Sequence, residues 1–210
     1  MDKQFAIFDM DGTLVDSMIF WKNLAGEYLH SKAVANIPKN LMERIKPMTL
    51  SESAALFRQE FCLSGHPEAE MNAIMDAHYR QDIPLKPGVK AYLQTLHSRG
   101  VKMCVTSATA EHLMKACLGR LGVLPYFEFL LSCETVGAGK HSPLVYDESA
   151  RRLGAAPAEI AVYEDALYAV KTAREAGYFV VGVYDDSAKE KWPAILDLAD
   201  ETITNWEENL

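Results

Sequence analysis

The sequence predicts an α/β protein: an open parallel sheet carrying a small helical domain inserted after its first strand. Three observations predict it. Short apolar runs at 5–8, 101–105, 160–163 and 179–183 are near-continuous rather than alternating, as in strands buried on both faces. Stretches of helical period separate most of them, the alternation that builds a parallel sheet. Acidic and hydroxyl residues follow three of these runs directly, at the strand ends where such sheets bind ligands.

Size and charge narrow the partners. With 210 residues and 49% hydrophobic residues, the chain can bury a real core in one domain plus a small insert. Twenty-nine acidic residues against 21 basic give a net charge of −8, and no Lys/Arg block is present, which argues against a nucleic-acid partner. No apolar run approaches the roughly 18 residues of a membrane span, and the N-terminus has no signal-peptide pattern. Cys62, Cys104, Cys117 and Cys133 are scattered without metal-ligand spacing and read as reduced thiols. A cytoplasmic protein without membrane or nucleic-acid partners, and a monomer, is expected.

The first run ends in Asp9-Met10-Asp11-Gly12-Thr13-Leu14-Val15-Asp16-Ser17. The period of two along a strand starts Asp9 and Asp11 on one side, and Gly12 lets the chain turn at once. Two crowded acids repel unless a cation or a catalytic role compensates, and a divalent metal between them would do so. The competing reading of Asp-x-Asp-Gly is a solvated turn. The whole string resembles the first motif of the haloacid dehalogenase superfamily, most of whose members are Mg²⁺-dependent phosphatases. The resemblance implies Asp9 as nucleophile and Asp11 as general acid/base on a Rossmann-like core.

Residues 16–87 read as a helical insert. Trp21, Leu24, Ala25, Tyr28 and Leu29 recur at helical steps, Thr49-Leu-Ser-Glu52 is a capping box opening a helix through Phe57 and Phe61, and Pro67 opens another. Such an insert resembles the small cap of the beta-phosphoglucomutase-like branch, which would exclude water and choose the substrate. Domains at 1–15 with 88–210 (core) and at 16–87 (cap) follow. Trp21 is the candidate substrate contact, against a default of core packing, and Asp16 and Ser17 are candidates for the hinge. The phosphomutase carries a His where this chain has Trp21, and an Arg in its substrate loop near Pro47-Met48-Thr49-Leu50. Their absence favours hydrolysis over mutase chemistry unless Lys46, Arg58 or Arg80 substitutes.

Residues 89–98 read as an amphipathic helix ended near Gly100. The strand at 101–105 then leads into Thr106-Ser107-Ala108-Thr109 and a helix at 110–121. Hydroxyls here either cap that helix or, with exposed N–H groups, hold phosphate oxygens. This resembles the family's second motif, with Ser107 and the Ala108 N–H as phosphate ligands and Thr106 as the competing hydroxyl. After a strand at 127–133, Gly137-Ala-Gly-Lys140-His141-Ser142-Pro143 lacks the first Gly and the Ser/Thr of a nucleotide P-loop. It resembles the third motif, in which Lys140 would neutralise the phosphate and hold the Asp9 carboxylate; the family's usual Pro and Asp are here His141 and Leu144. His141 reads as a solvent-facing loop residue before an acid/base.

The strand at 160–163 ends in Glu164-Asp165, which resembles the fourth motif. Mg²⁺ takes one or two carboxylates plus phosphate and water, so Asp165 is the expected ligand, with Glu164 binding directly or through water; the alternative is a helix-start acid pair. A helix at 167–176, a strand at 179–183, the turn acids Asp185-Asp186, a break at Trp192-Pro193 and a last edge strand near 202–204 complete the chain. The expected activity is Mg²⁺-dependent hydrolysis of a small soluble phosphomonoester through an aspartyl-phosphate on Asp9, with the metal held by Asp9, the Asp11 backbone carbonyl, Asp165 and Glu164. A phosphomutase acting on a sugar phosphate, a phosphonate hydrolase using Lys22 or Lys32 as imine, and a non-catalytic phosphate-binding protein are the alternatives.

Overall fold

The computed structural model describes residues 3–45 and 48–209; Lys46 and Pro47 lie outside them. The chain forms two compact units, Met1–Met18 with Ile83–Leu210, and Ile19–Asp82. These joints differ by a few residues from those drawn at 15/16 and 87/88. Both connecting segments stay with the first unit because they bond to each other: Asp16 N–H to Pro84 O and Lys86 N–H to Leu14 O, each at 3.0 Å, with an antiparallel bridge between Val15 and Leu85.

The first unit opens with β1 (Phe5–Phe8). The helices α1 (Met18–Ser31), α2 (Leu41–Ile45), α3 (Leu50–Glu60) and α4 (Pro67–Gln81) then build the second. The first unit resumes with α5 (Val89–Ser98), β2 (Lys102–Ser107), α6 (Glu111–Arg120), β3 (Phe127–Ser132), α7 (Cys133–Val136) and α8 (Leu144–Leu153). It ends with β4 (Ile160–Glu164), α9 (Leu167–Glu175), β5 (Phe179–Val183), α10 (Trp192–Leu198) and β6 (Glu201–Ile203).

The sheet runs β3-β2-β1-β4-β5-β6, all neighbours parallel. The chain grows outward from β1 in one direction through β2 and β3, then returns to β1's other side with β4. The order therefore reverses between β1 and β4, and a crevice opens beyond the carboxyl ends of strands at such a switch point. Every residue of β4 is buried, and Ile7 and Phe8 of β1 are fully so. Phe8 stacks on Tyr163 at 4.2 Å between centroids, and Trp206 from the C-terminal segment packs on both rings. Each such side chain contributes about 1.5–3 kcal/mol by leaving water, so the strand that carries Asp9 is fixed from both faces.

In the second unit the Thr49–Glu52 capping box forms as expected. The Thr49 hydroxyl accepts from the Glu52 N–H at 3.2 Å, and the Glu52 carboxylate accepts from the Thr49 N–H at 2.7 Å. Pro67 opens α4 at a position whose N–H needs no helical partner. Phe57 is core, whereas Trp21 is about one-third exposed and donates its indole N–H to the Tyr79 hydroxyl at 3.2 Å. Arg58 is exposed and Arg80 pairs with Asp76 at 3.0 Å.

Two local expectations are corrected. Trp192-Pro193 starts α10 instead of breaking the chain, because Pro is pre-set for the first helical turn. Cys133 begins the short α7 rather than ending β3, and Gly137 closes that helix at φ +73°, a conformation glycine adopts without strain. Among the described residues no helix is long and apolar enough to cross a membrane.

Candidate active site

The residues after β1 fold into a tight loop. Leu14 and Val15 both donate to Met10 O, at 2.9 and 3.0 Å, and Gly12 N–H reaches Val15 O at 3.0 Å. Gly12 sits at φ +82°, and a Cβ there would strike the Asp165 carboxylate. The absence of a side chain is what lets the first motif close against the fourth. Asp9 itself is anchored to the neighbouring strand, its N–H donating to Tyr163 O at 3.0 Å.

Three buried carboxylates meet at the switch point. One oxygen each from Asp9, Glu164 and Asp165 lies within 4.8 Å of the others. Lys140 reaches into this cluster with only 5% exposure, bonding Asp9 Oδ1 and, at 2.6 Å, Glu164 Oε1. The Tyr146 hydroxyl donates to the same Glu164 oxygen at 2.8 Å, and Thr13 donates to Asp165 Oδ1 at 3.4 Å.

One ammonium cannot balance three carboxylates, and the ionisation equilibria reflect it. Burial raises Asp9 above the usual carboxylate range against the pull of Lys140, with Asp11 adding to the rise. Burial pushes Glu164 up to about 7, again against Lys140. Asp165 is raised well above its ordinary value by burial and then by the charges of Asp9 and Glu164. Burial alone would lower Lys140, but the two carboxylates it bonds raise it, so it stays charged. Asp9 Oδ2 is buried with no hydrogen-bond partner. An unsatisfied anionic oxygen inside a surplus of negative charge fits a hard divalent cation with oxygen ligands.

Asp11 is oriented differently. Its carboxylate bonds hydroxyl groups, whereas those of Asp9, Glu164 and Asp165 face one another. Asp11 Oδ1 accepts from the Ser17 hydroxyl at 2.6 Å, and Oδ2 accepts from the Thr109 hydroxyl at 2.6 Å and from Ser107 at 3.4 Å. Of the two competing hydroxyls at the end of β2, Ser107 therefore comes to Asp11. Thr106 turns the other way, to Ser149 at 2.7 Å, as the alternation along a strand requires. Ala108 follows β2 directly and is exposed. His141 is exposed and stacked on Tyr168 at 4.3 Å. Lys32 pairs with Glu70, which raises its pKa, and an imine needs a neutral amine; Lys22 is an exposed residue of α1. Asp185 caps a turn, accepting from Ser187 N–H at 2.9 Å, and pairs with Lys86 at 2.7 Å.

The family model of haloacid dehalogenase-like hydrolases matches residues 4–177, a stretch that contains every one of these site residues in the sheet unit. The chain belongs to that family. Among its relatives, the haloacid dehalogenase-like hydrolase is 27% identical over 184 residues to the fructose-1-phosphate phosphatase YqaB of Escherichia coli, covering 84% of this chain and 94% of that protein. It is 26% identical over 187 residues to the phosphorylated carbohydrates phosphatase of Thermotoga maritima, covering 81% and 80%. The fold is shared with CbbY of Rhodobacter sphaeroides in complex with xylulose-1,5-bisphosphate, with a TM-score of 0.73, 20% identity and coverage of 98% and 96%. It is shared too with beta-phosphoglucomutase of Clostridium difficile, with a TM-score of 0.68, 21% identity and coverage of 98% and 92%.

Ser17, Thr109 and Tyr146 were not assigned site contacts at the level of sequence. The sequence reads Ser17 as a hinge residue and Thr109 only as part of the loop after β2. Their partners lie six, 98 and 18 residues away, and no spacing rule links a hydroxyl to a carboxylate at such separations.

Proposed function

We propose that this hydrolase is a Mg²⁺-dependent phosphatase of small phosphorylated carbohydrates, working through an aspartyl-phosphate on Asp9. The observation that carries the reading is the Asp9 carboxylate: one oxygen is tied to Lys140, and the other is buried without a partner beside Asp165 and Glu164. An oxygen held in that way is a positioned nucleophile.

In the first half-reaction the Asp9 carboxylate attacks phosphorus in line. The bond to the leaving oxygen breaks, and Asp11 protonates that oxygen. In the second, Asp11 takes a proton from water, whose oxygen attacks the phosphorus; inorganic phosphate leaves and Asp9 is regenerated. Ser107, the Ala108 N–H and Lys140 bind the phosphoryl oxygens. Asp9, the Asp11 backbone carbonyl and Asp165, with Glu164 directly or through water, would hold Mg²⁺, which would supply positive charge against the transferring group. In the same reading the helical unit selects the substrate, with Trp21 as its candidate contact.

Carbohydrate phosphates are favoured because relatives covering most of this chain carry names such as fructose-1-phosphate phosphatase, hexitol phosphatase A and phosphorylated carbohydrates phosphatase. The test is phosphate release from a panel of sugar phosphates and para-nitrophenyl phosphate with Mg²⁺. Wild-type protein is expected to release phosphate from hexose or hexitol phosphates, and Asp9→Asn to release none while keeping its circular dichroism. Turnover by Asp9→Asn would overturn the nucleophile. Bisphosphate-dependent isomerisation without phosphate release would replace hydrolysis by mutase chemistry.

A further inference from the structure

Asp11 is held by hydroxyls from two different parts of the chain. Ser17 Oγ and Thr109 Oγ1 each lie 2.6 Å from a different oxygen of its carboxylate. Both hydroxyls donate to the carboxyl group, and bonds of this length lie at the short end of the O–H···O range. Ser107 is a weaker third partner, at 3.4 Å from the oxygen Thr109 already serves. The Thr109 backbone is itself fixed, because its N–H donates to Ser107 Oγ at 3.1 Å. That two-residue turn aims the threonine side chain back at Asp11.

We propose that Thr109 is a positioning residue for Asp11. With Ser17 it clamps the carboxylate, one hydroxyl to each oxygen, and sets the direction from which Asp11 delivers its proton to the leaving oxygen. Because Thr109 satisfies Asp11 Oδ2 at 2.6 Å, the long Ser107 contact is dispensable, and the Ser107 proton is available to a phosphoryl oxygen. Two neighbouring hydroxyls on one loop thus divide the work: Thr109 orients the acid and Ser107 binds the phosphate. This inference rests on the role given to Asp11 in the proposed function.

A general acid matters in proportion to how poor the leaving group is, which separates positioning from mere structural support. The experiment compares kcat/KM, which reports the steps through phosphoryl transfer to Asp9, for a hexose phosphate and for para-nitrophenyl phosphate. Thr109→Val keeps the shape and removes the donor. It is expected to lose about 10- to 100-fold on the hexose phosphate, a part of what a positioned acid supplies, and only a few-fold, about 3 or less, on the nitrophenyl ester. Thr109→Ser, which keeps the hydroxyl, is expected to recover most of the hexose phosphate rate. Equal losses on both substrates, or no loss on the hexose phosphate, overturn the role of Thr109 while leaving the phosphatase reading intact. A wild-type protein inactive on both substrates overturns the phosphatase reading and this role with it.

Discussion

At the scale of single residues, Lys140 is, among the described residues, the one ammonium bonded to the carboxylates at the switch point, so its removal tests the electrostatics directly. Lys140→Met leaves Asp9 and Glu164 buried without a counter-charge. Breaking a buried pair from one side costs about 3–5 kcal/mol, and urea unfolding at pH 7 without added metal is expected to show a loss of that size. The loss should shrink at pH 5, below the value of about 7 to which burial pushes Glu164, because that carboxyl then takes up a proton and no longer needs the ammonium. A variant as stable as wild type at pH 7 would mean that protons, not Lys140, balance the cluster in the folded protein. Asp9, Lys140 and Asp165 could be picked out from the sequence because the strings that hold them resemble, in order, motifs of the haloacid dehalogenase superfamily. Thr109 could not, because which of four consecutive small residues turns toward Asp11 depends on strand alternation and on one ST turn. The same alternation decides between Thr106 and Ser107, which sequence left open.

At the scale of elements, the strands and most helices follow from apolar period, caps and turn residues, and the misses follow from context. Pro193 and Cys133 carry opposite signals, breaker and strand former, and both lie in helical segments because their neighbours supply the rest of the turn. Helix α4 offers a test that depends on pH. His78 lies between Glu27 of α1, at 2.8 Å, and Asp82, at 2.7 Å, with the Phe20 ring 4.8 Å away. Its partial burial favours the neutral ring, but the bonds to Glu27 and Asp82 outweigh this and raise its pKa above 6.5. A raised folded-state pKa means the folded protein holds the proton more tightly than the unfolded chain. The stabilisation is therefore fully present below the unfolded value and is lost as pH rises through the folded one. His78→Gln should lower the melting temperature of the helical unit more at pH 5.5 than at pH 8.5. An equal drop at both values would show that the ring acts by packing on Phe20 and not by charge.

At the scale of the whole molecule, the strand order is what makes a site out of separated motifs. No spacing rule places residue 9 beside residue 165. The order β3-β2-β1-β4-β5-β6 does so, because β1 and β4 are neighbours and both end at the switch point. Sequence could give the parallel sheet but not this order, which depends on pairings across more than 150 residues. The consequence is that a cation taken up by Asp9, Glu164 and Asp165 ties together two strands of the sheet unit and none of the helices α1–α4. Binding to the folded state alone stabilises it by mass action, about 2.7 kcal/mol at a hundredfold excess over Kd. Hydrogen exchange with and without Mg²⁺ should thus show added protection at 8–13 and 162–166, and little change in α3 and α4. Asp165→Asn, which removes a charge but little volume, should erase the Mg²⁺ effect and leave the metal-free protein at least as stable as wild type, since it relieves repulsion from Asp9 and Glu164. A Mg²⁺ effect that survives in Asp165→Asn, or one spread evenly over both units, would place the cation elsewhere.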